Sequence, residues 1–343
     1  MNTENSKRDW SILNHVVNDP RPPSLTSIGR LEAGNEVRYD TEEGVLEVME
    51  DECIKRYNLA KGDPIMNSEL AVHADISAAG MHHLRDVLMG DKELPENLDN
   101  VTRLYIKELQ EICQANPRQF GRKLEMTRQQ YVSFWKGVNE HTQLSTPGIH
   151  YGTYKASARE VVVSEALAKQ MTLVARSGVH PPRWEVTMQL LLAKAKGSTS
   201  IDISRYVSLY ETDFNHVKGH FLGGEANQAL DKLGIFPEDH FSRHGSTVID
   251  CKFDSTLVGD IGRASIIPMA ITSCDAKQCY DRVLVLIQCL VWMSLLKDME
   301  LVFVVLFCLK NMSYFKRTGY GDSKSTYGDD TPAFAGMAWG KVV

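Results

Sequence analysis

A chain of 343 residues with 43% apolar and 24% charged residues is long enough to bury two hydrophobic cores and too apolar to be disordered throughout. Its net charge of −6 is unevenly distributed: residues 1–100 contain 10 Lys and Arg against 20 Asp and Glu, whereas residues 101–343 contain 28 against 24. This distribution excludes the strongly basic footprint that is typical of many nucleic-acid-binding domains.

The cysteine spacing and the first ten residues indicate the cellular compartment in which the protein is expected. The seven cysteines include no C-x-x-C pair, which argues against a zinc site and a secreted disulfide framework and favours a reducing compartment. The first ten residues, M-N-T-E-N-S-K-R-D-W, lack the apolar segment of a signal peptide. We therefore expect an intracellular protein, either cytoplasmic or nuclear.

Two strongly apolar segments, residues 283–296 and 301–309, are separated by a polar corner. Neither reaches the roughly 20 residues that a membrane-spanning helix needs. We expect two buried helices and no membrane partner, with a membrane hairpin as the minor alternative.

The predicted elements follow from apolar spacing, helix caps and breakers. Residues 1–30, with three prolines, are predicted to be a disordered lead-in, residues 31–126 a mostly helical region, and residues 127–343 a further domain. Residues 44–49 suit either a short strand or the start of a helix. The remaining predictions, in chain order, are helices over 52–60, 77–92, 99–115, 127–138, 156–175 and 184–195, a strand over 201–210, helices over 211–233 and 247–257, a strand over 266–274, and the two apolar helices. Long helices with few strands between them predict an α+β fold.

Two acids close together, Asp275 and Asp281, are the candidates for acid chemistry. Asp275 ends the apolar segment 266–274, and a carboxylate at the end of a buried strand can hold a hard cation such as Mg²⁺. Two such ions stabilise the attacking and leaving oxygens in nucleotidyl transfer. The alternative is a pair of solvated acids with no catalytic role.

The residues around Asp275, D-A-K-Q-C-Y-D-R-V at 275–283, resemble motif A in reverse transcriptases of non-LTR (LINE-type) retrotransposons, of a type abundant in algae and diatoms. Five further blocks resemble the same family in the same order. They are T-P-G-I-H-Y-G-T-Y-K-A at 146–156, R-W at 183–184, L-Y-E-T-D-F-N at 209–215 with the following Lys218, D-H-F-S-R-H-G-S-T-V-I at 239–249, and R-T-G-Y-G-D-S at 317–323. The resemblance extends over residues 130–340, and each block is individually weak.

The resemblance implies the fingers and part of the palm of a right-hand polymerase, preceded by the helical region. It implies that Asp275 is the first catalytic metal ligand, holding Mg²⁺, and that Tyr280 lies beside the nucleotide sugar. Arg205 and Lys218 would lie near the incoming dNTP, and Arg243 would face the template. The implied partners are an RNA template, an RNA–DNA duplex and dNTPs. The structural alternatives are a solvated Arg205, a surface Lys218 and a core Tyr280.

The chain departs from the family after motif A. The expected glutamine-containing motif B is replaced at 331–343 by T-P-A-F-A-G-M-A-W-G-K-V-V, and no thumb follows. Asp329 and Asp330 belong to a Y-G-D-D sequence, but its flanks lack apolar strands, so a surface turn is favoured over a motif C metal site.

We therefore expect an incomplete RNA-directed DNA polymerase, a nucleotidyltransferase by resemblance, that does not polymerise as this chain. The alternatives are a non-catalytic nucleic-acid-binding remnant and a decayed gene product.

Overall fold

The computed structural model describes residues 25–57, 62–73, 78–121, 124–139, 149–193, 198–235, 248–266 and 285–323, and the structural statements below concern these residues. They form an α+β fold, as predicted. The chain divides into two compact units. The first comprises Met1–Glu52, Leu190–Val207 and Lys316–Lys324, and the second comprises Cys53–Gln189, Ser208–Phe315 and Ser325–Val343. The domain boundaries predicted after residues 30 and 126 stay predictions.

Most of the described residues are helical. The helices are α1 (Glu42–Tyr57), α2 (Glu69–His73), α3 (Ala78–Met89), α4 (Asn100–Ala115), α5 (Arg128–Gly137), α6 (Tyr151–Ser157), α7 (Val161–Ser177), α8 (Thr212–Val217), α9 (Ala226–Lys232), α10 (Val248–Ala264), α11 (Val285–Leu296) and α12 (Met299–Lys310). A π-helical segment, Lys218–Glu225, joins α8 to α9, and short 3-10 turns occupy Pro64–Asn67, Pro182–Glu185 and Ile201–Ile203.

The strands form two sheets. They are β1 (Ile28–Glu32), β2 (Asn35–Tyr39), β3 (Val186–Ala193), β4 (Ser204–Leu209), β5 (Ser313–Thr318) and β6 (Gly321–Asp322). β1 and β2 pair antiparallel from Ile28 opposite Tyr39 to Glu32 opposite Asn35, and the other four strands lie in the order β4-β3-β5-β6.

The first unit has its own small apolar core under the β1–β2 hairpin. The hairpin turns through Ala33 and Gly34, both with positive φ, which is the backbone that suits the twist of two antiparallel strands. The hydroxyl of Tyr206 donates to the Met49 carbonyl at 2.9 Å. The buried apolar side chains of this core are Ile28, Val45, Val48, Met49 and Ile201.

The second unit is built around α11 and α12, which pack against each other, with α11 against α4 and α12 against α7. The two predicted apolar helices are thus confirmed. The Asn116 amide caps the end of α11 by donating to the carbonyls of Ser294 and Leu295, both at 2.9 Å. Within the described residues, no helix combines the length and the apolar character needed to cross a membrane.

Three predictions of local structure are wrong or incomplete. The predicted helix 184–195 is the strand β3, because a short apolar run fits a buried strand as well as a helix, and Val186 and Thr187 are β-branched. The predicted helix 156–175 is interrupted between α6 and α7. β1 begins at Ile28, inside the predicted lead-in. The β1–β2 hairpin was not predicted, because its turn lacks the usual Asn-Gly signal.

Asp298 holds the corner between α11 and α12 and gives a prediction on stability. Its Oδ1 caps α12 by accepting from the Leu301 amide at 3.0 Å, and its Oδ2 accepts from the Leu124 amide at 3.1 Å. Asp298 is 0% exposed, so Asp298→Ala leaves two buried N–H groups unsatisfied. We expect a loss of about 2–4 kcal/mol in the free energy of unfolding, measured by urea titration.

The matched control is Asp99→Ala. Asp99 caps α4 in the same way, accepting from Val101 and Thr102 at 2.9 and 3.0 Å, but it is partly exposed. Its loss should cost about 1 kcal/mol. Equal losses for the two variants would contradict the role given to the buried Leu124 contact.

Candidate functional site

Five of the predicted site residues lie outside the described part of the chain: Asp275, Tyr280, Arg243, Asp329 and Asp330. Their predicted roles as metal ligands, sugar gate and template contact stay predictions. The candidate site is therefore built from the blocks whose residues are described.

The buried carboxylate of Asp213 joins two of these blocks. The 3-10 turn Pro182–Glu185 presents Arg183 and Trp184, and the first turn of α8 presents Asp213. Oδ1 of Asp213 accepts a hydrogen bond of 2.7 Å from the Trp184 indole, and Oδ2 pairs with the Arg183 guanidinium. Asp213 is 1% exposed and Trp184 is 0% exposed. The ion pair and the indole donor together compensate the desolvation of the carboxylate.

The block at 146–156 contacts the same helix start through its described residues, from Ile149 onward. The Thr212 hydroxyl donates to the Ile149 carbonyl at 2.9 Å. The Asn215 side-chain amide donates to the Tyr151 hydroxyl at 3.5 Å. The start of α6 is therefore held against the first turn of α8 by two polar contacts.

Tyr154, also on α6, lies beside the Arg183–Asp213 pair. Burial, and then the negative charge of Asp213, raise the pKa of the Tyr154 hydroxyl well above its usual range, against the opposing charge of Arg183. The Tyr154 ring stacks on Trp135 with centroids 4.8 Å apart. Tyr154, Arg183, Trp184, Glu211 and Asp213 are called the Asp213 cluster below.

The second carboxylate of this cluster, Glu211, has a pKa above its ordinary value. Glu211 is 0% exposed, and its Oε2 lies 3.9 Å from Nε of Arg183. Burial, and then the charge of Asp213, raise the pKa of Glu211 to about 7, although Arg183 and two backbone N–H groups oppose the shift. One guanidinium cannot fully compensate two adjacent carboxylates, so the cluster takes up a proton near neutral pH.

His216, one turn further along α8, is enclosed by aromatic rings. It stacks on Phe134 with centroids 4.0 Å apart and lies edge-on to Trp135 at 4.9 Å. Neither of its ring nitrogens has a hydrogen-bond partner within the described structure. Burial, and then His220, lower the pKa of His216 to about 3. The imidazole is therefore neutral at physiological pH and acts as an aromatic core residue.

Lys218, a predicted nucleotide contact, begins the π-helical segment. Its ammonium lies 3.9 Å from the ring centroid of Tyr210 and 5.1 Å from that of Phe214. Burial lowers the pKa of Lys218 to about 8, against the opposing effect of Cys308. In this conformation the charge of Lys218 is directed at two aromatic faces, which favours a cation–π contact.

Arg205, the other described nucleotide contact of the prediction, lies on β4 in the first unit and is exposed. An exposed guanidinium can contact a phosphate without leaving a buried partner. Its predicted role stays a prediction.

The acid pair Glu211 and Asp213 fits Mg²⁺ poorly. Mg²⁺ prefers octahedral oxygen coordination and retains several waters, whereas both carboxylates are fully buried and Asp213 is already bonded to Arg183 and Trp184. Within the described residues, no group of three or more His, Cys, Asp and Glu side chains could hold a metal ion. The predicted Mg²⁺ therefore depends on Asp275, outside this region.

Tyr154, Glu211 and Asp213 lie inside the resemblance blocks, but the resemblance implies no role for these three residues. Their signal was the block resemblance itself, which marks segments rather than contacts. His216 had no sequence signal, because a single histidine four residues into a helix gives no indication of burial.

No protein-family model matches the chain, and a comparison with curated proteins finds no significant similarity.

The neutral state of His216 predicts acid sensitivity. The folded protein excludes a proton from His216 down to about pH 3, whereas the unfolded chain binds one below about pH 6.5. The free energy of unfolding should therefore fall as the pH decreases from 6.5 towards 3, by up to about 4 kcal/mol from this residue. His216→Phe should reduce this slope in urea titrations across that range.

His82→Asn is the matched control, because His82 is an exposed histidine on α3. It should leave the slope unchanged. A slope that His82→Asn reduces as much as His216→Phe would contradict the assignment.

Glu211 predicts the opposite dependence on pH. The pKa of Glu211 is about 7 in the folded protein against an ordinary value of 4.5. Between these two pH values the unfolded chain loses the proton while the folded protein keeps it, so the free energy of unfolding falls as the pH rises from about 4.5 through 7. Glu211→Gln should raise the free energy of unfolding at pH 8 by about 2–3 kcal/mol and have little effect at pH 4. Urea titrations at both values test this, and a destabilised Glu211→Gln at pH 8 would contradict it.

Proposed function

We propose that the chain is a nucleic-acid-binding domain derived from a reverse transcriptase of the non-LTR retrotransposon type, corresponding to fingers and part of a palm. The observation that supports this proposal is the meeting of three resemblance blocks, residues 149–156, 183–184 and 209–215, in the Asp213 cluster.

The strength of this support comes from sequence separation. Arg183 and Asp213 are 30 residues apart, and Thr212 and Ile149 are 63 residues apart, yet each pair is in direct contact. Short matches that arose by chance in an unrelated fold would select segments scattered over the molecule. Blocks that contact one another through their named polar residues behave as parts of one structural unit.

The hairpin of β5 and β6 carries a further block. Arg317 on β5 forms two hydrogen bonds with the Asp322 carboxylate on β6, at 2.7 and 3.0 Å. The R-T-G-Y-G-D-S block thus forms a hairpin with a tight turn at Gly319 and Tyr320, and the arginine and the aspartate of the block bond to each other across it. This internal pairing supports the block as a unit, as the Asp213 cluster does.

In the proposal, the bound nucleic acid is contacted at different parts by Arg205, Arg243 and Tyr280. Arg205 contacts a phosphate, Arg243 contacts the template strand, and Tyr280 lies beside the sugar of the nucleotide. Asp275 would hold Mg²⁺, which supplies charge stabilisation in nucleotidyl transfer. Lys218 is given a supporting role, because its ammonium lies against Tyr210 and Phe214 and fixes the segment after the Asp213 cluster.

In this proposal, the chain binds nucleic acid without catalysing nucleotidyl transfer. The chain contains the motif A aspartate Asp275, but its Y-G-D-D sequence lacks apolar flanks. A single carboxylate ligand does not hold two metal ions in the geometry that an in-line displacement needs. We therefore expect this chain to bind RNA–DNA hybrid and not to extend a primer.

The test is fluorescence anisotropy of a labelled RNA–DNA hybrid at several salt concentrations. Arg205→Ala should weaken binding and reduce the salt dependence by about one counterion, because an exposed phosphate contact is lost. Asp275→Asn should leave binding unchanged. A primer-extension assay on an RNA template with Mg²⁺ should give no product for either variant or for the unaltered chain.

Lys169→Ala is the matched control, because Lys169 is an exposed base on α7 that pairs with Glu165. It should leave affinity and salt dependence unchanged. Absence of hybrid binding, or equal losses for Arg205→Ala and Lys169→Ala, would contradict the proposed binding, and primer extension would contradict the separation of binding from catalysis.

A further inference from the structure

A cysteine and a lysine far apart in the sequence meet in the interior of the second unit. Cys113 lies in the last turn of α4, and Lys297 lies in the corner between α11 and α12. The two residues are 1% and 2% exposed. Lysine is rarely buried to this extent, because its amine is normally solvated.

The amine of Lys297 is directed at Cys113 by three contacts. Nζ lies 2.7 Å from Sγ of Cys113 and 2.7 Å from the Cys113 carbonyl oxygen, and it lies 4.5 Å from the ring centroid of Phe120. The distance between Nζ and Sγ is thus shorter than a hydrogen bond to sulfur needs. A single oxygen atom bonded to both can span it.

The backbone fixes this geometry. Lys297 has φ of 58°, a left-handed conformation that is uncommon outside glycine and that ends α11. Its amide donates to the Met293 carbonyl at 3.1 Å, and its carbonyl accepts from the Gly121 amide at 3.1 Å. The Lys297 backbone is therefore held at the corner, and its amine already lies against Cys113, so the two side chains can react without rearrangement of the helices.

We propose that Cys113 and Lys297 form a covalent nitrogen–oxygen–sulfur bridge when the protein is exposed to dioxygen. The S–H bond of the thiol and one N–H bond of the neutral amine break, and one S–O and one O–N bond form. One oxygen atom enters the bridge, and the other leaves as water with the two hydrogens. Sulfur and nitrogen each lose two electrons, which together reduce dioxygen. An ammonium group would first release one proton to solvent.

The bridge joins residues that are 184 positions apart and therefore ties the end of α4 to the α11–α12 corner. A crosslink that closes a long segment restricts the unfolded chain. Two equivalents of a dithiol reverse the reaction, because they supply the four hydrogens that restore the thiol, the amine and one water. The pair would thus make the stability of this unit sensitive to the redox state.

The test is mass spectrometry of the full chain after incubation in air-saturated buffer and separately with dithiothreitol. The bridged protein gains one oxygen and loses two hydrogens. Trypsin does not cleave after a bridged lysine, so the digest should contain residues 108–118 joined to residues 283–310. Dithiothreitol should return the separate peptides and lower the urea midpoint to that of Cys113→Ser.

Cys289→Ala is the matched control, because Cys289 is also buried but its sulfur lies against the thioethers of Met81 and Met293. It should form the bridge as the unaltered chain does, whereas Cys113→Ser and Lys297→Met should not. Gain of oxygen without loss of hydrogen, which indicates sulfenic acid, or no joined peptide in the aerated unaltered chain, would overturn the proposal.

Discussion

The organisation of the second unit depends on the two interactions that the buried carboxylate of Asp213 makes with Arg183 and Trp184. It accepts from the Trp184 indole and pairs with Arg183, so the turn before β3 and the start of α8 cannot separate without exposing a buried charge. Buried ion pairs add little net stability, but they penalise any arrangement in which the partners part. The constraint reaches α12 as well, since the Cys308 thiol donates to the Trp184 carbonyl at 3.2 Å. Asp213 therefore selects one packing of these segments over others.

The Asp213 cluster and the nearby His216 depart from the rule that buried polar groups are compensated by hydrogen bonds or ion pairs. Glu211 competes with Asp213 for one guanidinium, and His216 has two ring nitrogens enclosed by aromatic groups. Each arrangement costs free energy that an apolar side chain would not. Natural proteins concentrate such costs where function restricts the choice of residue. A functional constraint on this region, as in the proposed function, would account for this concentration.

Local signals predicted the helices well where capping and periodicity agreed. Asp99 and Thr127 cap α4 and α5, and the apolar segments after residue 283 form α11 and α12. The failures have physical causes. β3 is short and apolar on most positions, so its period cannot distinguish strand from helix. The β1–β2 hairpin turns at Ala33, a residue with no preference for positive φ, and was therefore not predicted.

The candidate site shows a different limit of sequence reasoning. The resemblance blocks mark segments of the chain, but not which of their side chains form contacts, because a block records order along the chain and a contact depends on the fold. The resemblance implies roles for the cations Arg205 and Lys218, whereas the contacts between the described blocks centre on the carboxylate of Asp213. Lys218 begins the π-helical segment that follows α8 directly, and its ammonium lies over the rings of Tyr210 and Phe214. No local pattern in the sequence predicts either the π-helical segment or the position of this ammonium over two aromatic rings.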